Sequence, residues 1–166
     1  IDIRHVYQTF GDRHILKDVS LSIKEGETMV ILGASGSGKS TLLKLIIGLL
    51  RPTSGKVLVN GKDMGQLSEE ELNEERRSMG MVFQYSALFD SLNVKENVAF
   101  GLRMHTRLSE EKIDAIVKEK LHLVGLDGIE DLMPANLSGG MKKRVSLARA
   151  IALEPKIILY DEPTAG

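Results

Sequence analysis

A glycine- and serine-rich segment, GASGSGKS at residues 33–40, constrains the fold of this chain more than any other feature. A continuous apolar run, TMVILG at residues 28–33, leads into it and predicts a buried strand. A stretch with helical composition follows over about residues 39–49 and ends before a proline. A strand, a tight glycine turn and a helix in this order predict an α/β protein.

The same segment matches the pattern G-x-x-x-x-G-K-[ST] throughout, in the strand–loop–helix setting that the pattern requires. Glycines let the backbone curl until several N–H groups converge on phosphate oxygens, and the helix start adds its positive dipole end. The Lys39 ammonium is predicted to reach the β- and γ-phosphates, the Ser40 hydroxyl to ligate Mg²⁺, and Thr41 to touch the α-phosphate. The predicted phosphate-binding residues are Gly33, Ser35, Gly36, Ser37, Gly38, Lys39, Ser40 and Thr41. The alternative is a flexible glycine–serine turn, but the flanking strand and helix favour a nucleoside triphosphate site.

Two adjacent acids, Asp161 and Glu162, follow a second apolar run, KIILY at residues 156–160. The run predicts a buried strand, with Ile157, Ile158 and Leu159 in the interior. A phosphate-binding loop needs an acid near its metal, so Asp161 is predicted to hold Mg²⁺ through water. Glu162 is then placed to polarise an attacking water as general base. The alternative is that the acids mark a strand end that reaches solvent.

Composition excludes several other functions. The chain has 166 residues, 42% of them hydrophobic and 27% charged, which is typical of a globular domain. It has no cysteine, which excludes disulfides, cysteine-bound zinc and thiol catalysis. Its formal charge of −1 predicts no attraction to nucleic acid. No apolar run approaches the roughly 20 residues that span a bilayer, so a membrane role would need a partner chain.

The remaining pattern predicts how the chain is organised. Alternating residues at 1–10 and 15–23 predict an N-terminal antiparallel β element, and MGMVF at residues 79–83 predicts a further strand. Ser68 with Glu71 predicts a capping box, while Ser109 and Ser138 are placed to begin helices. The chain is therefore expected to form one domain over residues 1–166. Its α/β core is assigned to residues 1–85 and 153–166, and a helical subdomain to residues 86–152.

A third motif, LSGGM at residues 137–141, lies between the glycine loop and the YDEPT strand and resembles the signature of ABC-type ATPases. Gln84, just after its predicted strand, resembles their Q-loop. Phe10 sits where an aromatic of that family stacks on adenine. The motifs occur in the family's order, so the resemblance covers essentially the whole chain. It implies a P-loop NTPase core with a mostly parallel sheet, an N-terminal antiparallel β element and a helical insert.

The resemblance also implies functional residues. It assigns catalytic roles to Glu162, Gln84 and Lys39, Mg²⁺ binding to Ser40, Gln84 and Asp161, and ATP rather than GTP as the nucleotide. It further implies that Ser138, Gly139 and Gly140 bind the γ-phosphate of ATP held by a second copy, so that the active unit is a dimer. The structural alternatives are a core aromatic at Phe10, a strand end at Gln84, and an N-capped, closely packed helix at Ser138.

Within that family, the segments at residues 85–106 and 132–155 closely resemble ATPases of Mla/Mce-type phospholipid transport systems, including Met141 in place of the more usual glutamine. This implies transport through a separate membrane permease whose coupling helix docks near residues 87–89. It also implies a cytoplasmic protein on the inner face of the cytoplasmic membrane. Apolar Leu88 and Phe89 suit such a docking groove, and core packing of Phe89 is the alternative.

Three other interpretations stay open. An ABC importer of another solute fits the same motifs. DNA-repair and ribosome-associated relatives fit less well, because the stretch between Gln84 and Ser138 lacks sustained heptads and the chain has one phosphate-binding loop. The last is a nucleotide-binding fragment without turnover, since family members continue past the acids with a strand that usually lies between the two apolar ones. The 166 residues are therefore expected to be part of a longer protein, with a gap in the sheet and weak activity alone.

Overall fold

The computed structural model describes residues 1–84 and 86–161. The chain divides into two compact units, Ile1–Arg76 and Arg77–Gly166. The predicted assignment of residues 153–166 to the nucleotide-binding core and of residues 86–152 to a separate helical subdomain stays a prediction.

The first unit contains a four-stranded antiparallel sheet in the order β2-β1-β3-β4. Asp2 pairs with Ser22 and Phe10 with Arg13 across the first hairpin, whose turn contains Gly11. This confirms the predicted N-terminal antiparallel element. Its strands are β1 (Asp2–Phe10), β2 (Arg13–Ser22), β3 (Ser54–Val59) and β4 (Lys62–Asp63).

Two helices complete this unit, α1 (Lys39–Ile46) and α2 (Glu69–Arg76). The predicted capping box is present: the Ser68 amide donates to Glu71 Oε2 at 2.8 Å and the Glu71 amide to Ser68 Oγ at 3.3 Å. At the far end of α2, the Arg76 guanidinium donates to the carbonyls of Ile47 and Gly48 and so holds the chain leaving α1. These bonds hold residues 47–48, directly after α1, to the end of α2.

The predicted strand at residues 28–33 is wrong. The structure gives these residues no regular secondary structure, and Val30 and Leu32 are 71% and 89% exposed. A buried strand needs neighbouring strands for its N–H and C=O groups. Among residues 1–84 and 86–161, no strand pairs with this run. Hydrophobicity alone does not make a strand.

The second unit combines a parallel strand pair with helices. Strands β5 (Met79–Val82) and β6 (Ile157–Tyr160) pair in parallel, with Met79 opposite Ile157 and Val82 opposite Tyr160. The helices are α3 (Val94–His105), α4 (Glu110–Leu123) and α5 (Gly139–Ile151), with a 3₁₀ turn at Pro134–Asn136. Both predicted strands and the helical stretch between them are confirmed.

The core of this unit lies between its helices. Fully buried Val98, Val117 and Val145 come from α3, α4 and α5, respectively. Ser109 and Ser138 cap α4 and α5 as predicted, accepting from the amides of Lys112 and Met141. No helix in the described residues is both long enough and apolar enough to cross a membrane.

The burial predicted for the last strand is only partly right. Leu159 is 7% exposed, but Ile158 is 39% exposed. β6 alternates its side chains between two faces, and Ile158 shares the less covered face with Tyr160, which is 43% exposed. Ile157 is half-buried.

Candidate functional site

The glycine loop, defined as residues 33–40, leads directly into α1. Gly38 is the N-cap of this helix with φ 99°, and its carbonyl accepts from the Leu42 amide at 2.9 Å. A short turn precedes it, in which the Ser37 amide donates to the Ala34 carbonyl at 3.1 Å. Gly36 also has a positive φ of 78°. The predicted curl of the backbone before a helix start is therefore present.

Gly38 is required by packing as well as by conformation. A Cβ at this position would lie 2.7 Å from Leu16 Cδ2 and 3.0 Å from Ile15 Cγ2, both on β2. A Cβ at Gly36 would meet nothing within 4 Å. The helix start therefore sits against β2, while the preceding glycine faces open space.

The Lys39 ammonium folds back into the glycine loop. Its Nζ donates to the Gly33 carbonyl at 2.9 Å and to the Ala34 carbonyl at 3.1 Å. A cation held among loop carbonyls at the positive end of a helix can turn to phosphate oxygens when an anion enters the loop. Ser40 and Thr41 follow within the first turn of α1, both half-buried.

Phe10 ends β1 and is 46% exposed. The core alternative for this aromatic is therefore not supported, because nearly half of its surface meets solvent. An exposed ring can stack on another flat ring.

In the second unit, Gln84 and Asp161 lie at the same end of the parallel strand pair. β5 ends at Val82 and β6 at Tyr160, which are paired, and the Asp161 amide donates to the Val82 carbonyl at 3.0 Å. Carboxyl ends of parallel strands are where α/β sheets bind ligands. Glu162, the predicted general base, lies outside the described residues.

The donor set suits a hard cation. Gln84 and Asp161 would offer an amide and a carboxylate oxygen at one end of β5 and β6, and Mg²⁺ is typically held by one or two carboxylates with substrate phosphates and water. Across residues 1–84 and 86–161, no group of three histidine, aspartate or glutamate side chains forms a metal cluster. Oxygen donors of the kind that Gln84 and Asp161 carry would suit Mg²⁺ bound together with nucleotide phosphates.

The signature segment forms the start of α5. Ser138 Oγ accepts from the Met141 amide at 3.2 Å, and Gly139 and Gly140 are the first two helical residues. A Cβ at either glycine would meet nothing within 4 Å, and neither has a positive φ. The described part of the chain therefore gives no support to the alternative that these glycines allow close packing. Glycine is a poorer helix former than alanine, and among the described residues neither glycine allows a close contact that a Cβ would prevent.

The predicted docking segment at residues 87–89 and the preceding Ser86, together called the docking loop (residues 86–89), are held by side chains of two helices, α3 and α5. Ser86 and Ala87 have positive φ values of 62° and 47°, which cost roughly 1 kcal/mol or more each for non-glycine residues. The Arg149 guanidinium on α5 donates to their carbonyls at 3.0 and 2.8 Å. It also lies over the Phe89 ring, 5.7 Å from its centroid. Burial lowers the pKa of Arg149 from its ordinary value.

Leu88 and Phe89 differ within this loop. Leu88 is half-buried and packs on the helical core, whereas Phe89 is 42% exposed and its ring lies 4.7 Å from that of Phe100. Core packing of Phe89 is therefore not supported.

Sequence reasoning missed Arg149 and Asn97, the two side chains that hold the docking loop. Asn97 is fully buried on α3, with hydrogen bonds to the backbone of Phe89, Leu92 and Asn93. The sequence offered a signal for Asn97. Its position shares the i, i+3, i+4 spacing of Val94 and Val98, which predicts a polar side chain on the buried face of the helix.

The chain resembles curated transport proteins over its full length. It is 50% identical over 166 residues to the probable ribonucleotide transport ATP-binding protein mkl of Mycobacterium leprae. It is 49% identical over 166 residues to the intermembrane phospholipid transport system ATP-binding protein MlaF of Haemophilus influenzae. Both matches include 100% of this chain, but they cover only 48% of the mkl protein and 63% of the MlaF protein. The chain therefore spans about half to two thirds of the length of these relatives.

The fold also matches a solved structure, the ATP-binding cassette MJ0796 in a dimeric post-hydrolysis state bound to ADP and Pi. The TM-score is 0.91 at 38% identity, covering 98% of this chain and 74% of that one. The model of the ABC transporter family matches residues 16–165. With the glycine loop, the signature helix start and this fold all present, the chain belongs to the ABC transporter family.

Proposed function

We propose that the protein containing this chain binds and hydrolyses ATP as the nucleotide-binding subunit of an ABC transporter, and so drives phospholipid transport. The observation that carries the proposal is the position of Lys39, whose ammonium lies among the glycine-loop carbonyls at the start of α1. Membership of the ABC transporter family supports the same conclusion.

Each predicted residue has a distinct role in this proposal. Lys39 exchanges its loop carbonyls for the β- and γ-phosphate oxygens, and backbone N–H groups of residues 33–41 donate to the same anion. Ser40, Gln84 and Asp161 hold Mg²⁺, which neutralises charge on the phosphates. Glu162 takes a proton from the attacking water. Phe10 stacks on the adenine ring.

A second copy of the protein supplies the signature residues. Gly139 and Gly140 expose the backbone at the start of α5, where no contact among residues 1–84 and 86–161 explains the lack of a side chain. Backbone N–H groups at a helix start bind anions well. We infer that Ser138, Gly139 and Gly140 contact the γ-phosphate of ATP held by the other copy. The dimeric state of the MJ0796 cassette supports this arrangement.

A membrane permease docks on the second unit. Phe89 and Phe100 are each 42% exposed and Met104 is 64% exposed, on one side of the helical core. Beside them lies a cleft of about 250 Å³ lined by Leu92, Phe100, Met104 and two charged side chains. Exposed apolar surface of this kind suits an amphipathic helix. Docking there would hold the protein at the inner face of the cytoplasmic membrane.

Phospholipid is the substrate that we propose, on the similarity to the MlaF protein. The similarity to mkl, whose name refers to ribonucleotides, keeps another solute as the second candidate. The discriminating measurement is ATP turnover of the complex of the full-length protein with the permease that co-purifies with it. Turnover that changes with the phospholipid supplied supports lipid transport, whereas a response only to ribonucleotides supports the second candidate.

Three forms of the full-length protein test the hydrolytic function. The wild type should hydrolyse ATP. Lys39→Ala should bind ATP weakly, because the phosphates lose their cation. Glu162→Gln should bind ATP, stop turning over and accumulate as a dimer, because the nucleotide stays intact between two copies. Normal hydrolysis by Glu162→Gln would mean that another group is the base.

A further inference from the structure

We propose that Arg149 is a positioning residue that couples the docking loop to the signature residues through helix α5. The inference rests on the proposed function, because it needs a permease at the docking loop and ATP at the signature. It assigns a role to a side chain outside the phosphate-binding, metal and signature motifs.

The first observation is the geometry of the guanidinium. Two of its nitrogens donate separately, Nη2 to the Ser86 carbonyl at 3.0 Å and Nη1 to the Ala87 carbonyl at 2.8 Å. A planar fork can reach two acceptors at a fixed separation, which the compact ammonium of lysine does less well. The Phe89 ring lies beneath the guanidinium and limits how far it can move.

The second observation is that Arg149 holds the first half of the docking loop, whereas Asn97 holds Phe89 and the helical core holds Leu88. The docking loop has no regular secondary structure, and two of its four residues hold left-handed backbone conformations. Such conformations persist only when surrounding contacts hold them. Arg149 provides this support at Ser86 and Ala87, so a displacement of the loop must break these bonds or move Arg149.

The third observation is that Arg149 and the signature glycines belong to one rigid helix. α5 runs without interruption from Gly139 to Ile151, and Val145 and Ala148 are fully buried in the helical core. At 1.5 Å per residue, Arg149 lies about 15 Å from the helix start. A shift at Arg149 is therefore passed to Ser138 and its neighbours rather than absorbed locally.

The test compares two arginines of the same helix in the full-length protein. Arg144 also donates to two carbonyls, those of Val124 and Gly125 at the C-terminal end of α4. Arg149→Lys and Arg149→Gln are the test variants, and Arg144→Lys is the matched control. Each is purified with its permease in lipid nanodiscs. The measurements are permease binding and the increase in ATP turnover that the permease causes.

We expect the Arg149 variants to retain permease binding and ATP affinity within about twofold, but to lose permease stimulation by about tenfold. Arg144→Lys should be stimulated like the wild type. A purely structural role would instead lower ATP affinity, binding and stimulation together. Normal stimulation in Arg149→Lys, or equal losses in Arg149→Lys and Arg144→Lys, would overturn the inference.

A second measurement works without the permease and separates this inference from the proposed function. Amide hydrogen exchange at residues 86–93 is followed in Glu162→Gln with and without ATP, and in the same protein carrying Arg149→Lys. ATP should change exchange in the first and not in the second. If the permease does not stimulate ATP turnover in the wild-type complex, the proposed function fails. The exchange measurement would still show whether Arg149 couples ATP binding to residues 86–93. Equal ATP responses in the two proteins would exclude a role for Arg149.

Discussion

Asn97 binds the backbone of Phe89 from both sides: its Oδ1 accepts from the Phe89 amide at 2.8 Å, and its Nδ2 donates to the Phe89 carbonyl at 3.1 Å. The same Nδ2 donates to the carbonyls of Leu92 and Asn93. Asn97 is fully buried, so removal of its side chain leaves buried backbone groups without their protein partners.

We therefore expect Asn97→Ala to lower the free energy of unfolding by about 3 kcal/mol, since buried backbone groups lose their partners. Chemical denaturation of the full-length protein measures this change. The comparison variant is Asn93→Ala, which removes the cap of α3 and should cost about 1 kcal/mol. Equal effects of the two substitutions would contradict the role assigned to Asn97.

Gly38→Ala should destabilise the protein by roughly 1–3 kcal/mol, because the added methyl group meets Leu16 and Ile15 at a strained φ. ATP binding should weaken as well, since the start of α1 must shift. Gly26→Ala is the control: its φ of 75° is also positive, but a Cβ there has open space. Thermal unfolding should show a smaller decrease in Tm for Gly26→Ala than for Gly38→Ala. Equal decreases would rule out the contribution of packing at Gly38.

Gly139→Ala should have opposite effects on stability and activity. The free energy of unfolding should rise by up to about 1 kcal/mol, because the helix gains a better former without a clash. ATP turnover by the full-length protein should fall, because the methyl group would cover the backbone offered to the other copy. Gly80→Ala provides the contrast, since its Cβ would lie 2.6 Å from the Ala150 carbonyl oxygen. This clash should lower the free energy of unfolding. Unchanged turnover in Gly139→Ala would argue against the proposed contact.

The capping box of α2 predicts a pH dependence. The Ser68 backbone N–H, followed by the Ser68 hydroxyl, holds the pKa of Glu71 below its usual range. The unfolded chain therefore binds this proton more readily, so the stabilisation is complete above the unfolded pKa and is lost as pH falls through the folded one. Unfolding free energies measured from about pH 6 to pH 3 should fall more steeply in wild type than in Glu71→Gln. Parallel profiles would contradict this assignment.

Features that depend on neighbouring residues in the sequence were predictable. Ser68, Ser109 and Ser138 begin helices as expected, because capping is a contact between a side chain and a backbone amide three residues away. The glycine loop and signature were recognised for a similar reason, since their function depends on local backbone shape. The catalytic roles of Lys39, Gln84 and Glu162 stay predictions, as does Mg²⁺ binding by Ser40, Gln84 and Asp161.

Features that depend on distant contacts were not predictable in the same way. The run at residues 28–33 has the composition of a strand, but pairing decides whether a strand forms. Ile158 was expected inside because its neighbours are apolar, yet exposure of β6 depends on what covers each face. Arg149 contacts residues more than sixty positions earlier, which no local pattern indicates.

The unpaired run at residues 28–33 has a practical consequence for handling these 166 residues as an isolated polypeptide. Backbone outside regular secondary structure, with exposed Val30 and Leu32, can pair with the same segment of another molecule. We expect such a preparation to aggregate with rising concentration, and substitution of Leu32 by lysine to delay it. The lifetime of such a preparation in solution would then depend less on the free energy of unfolding than on the exposed residues 28–33.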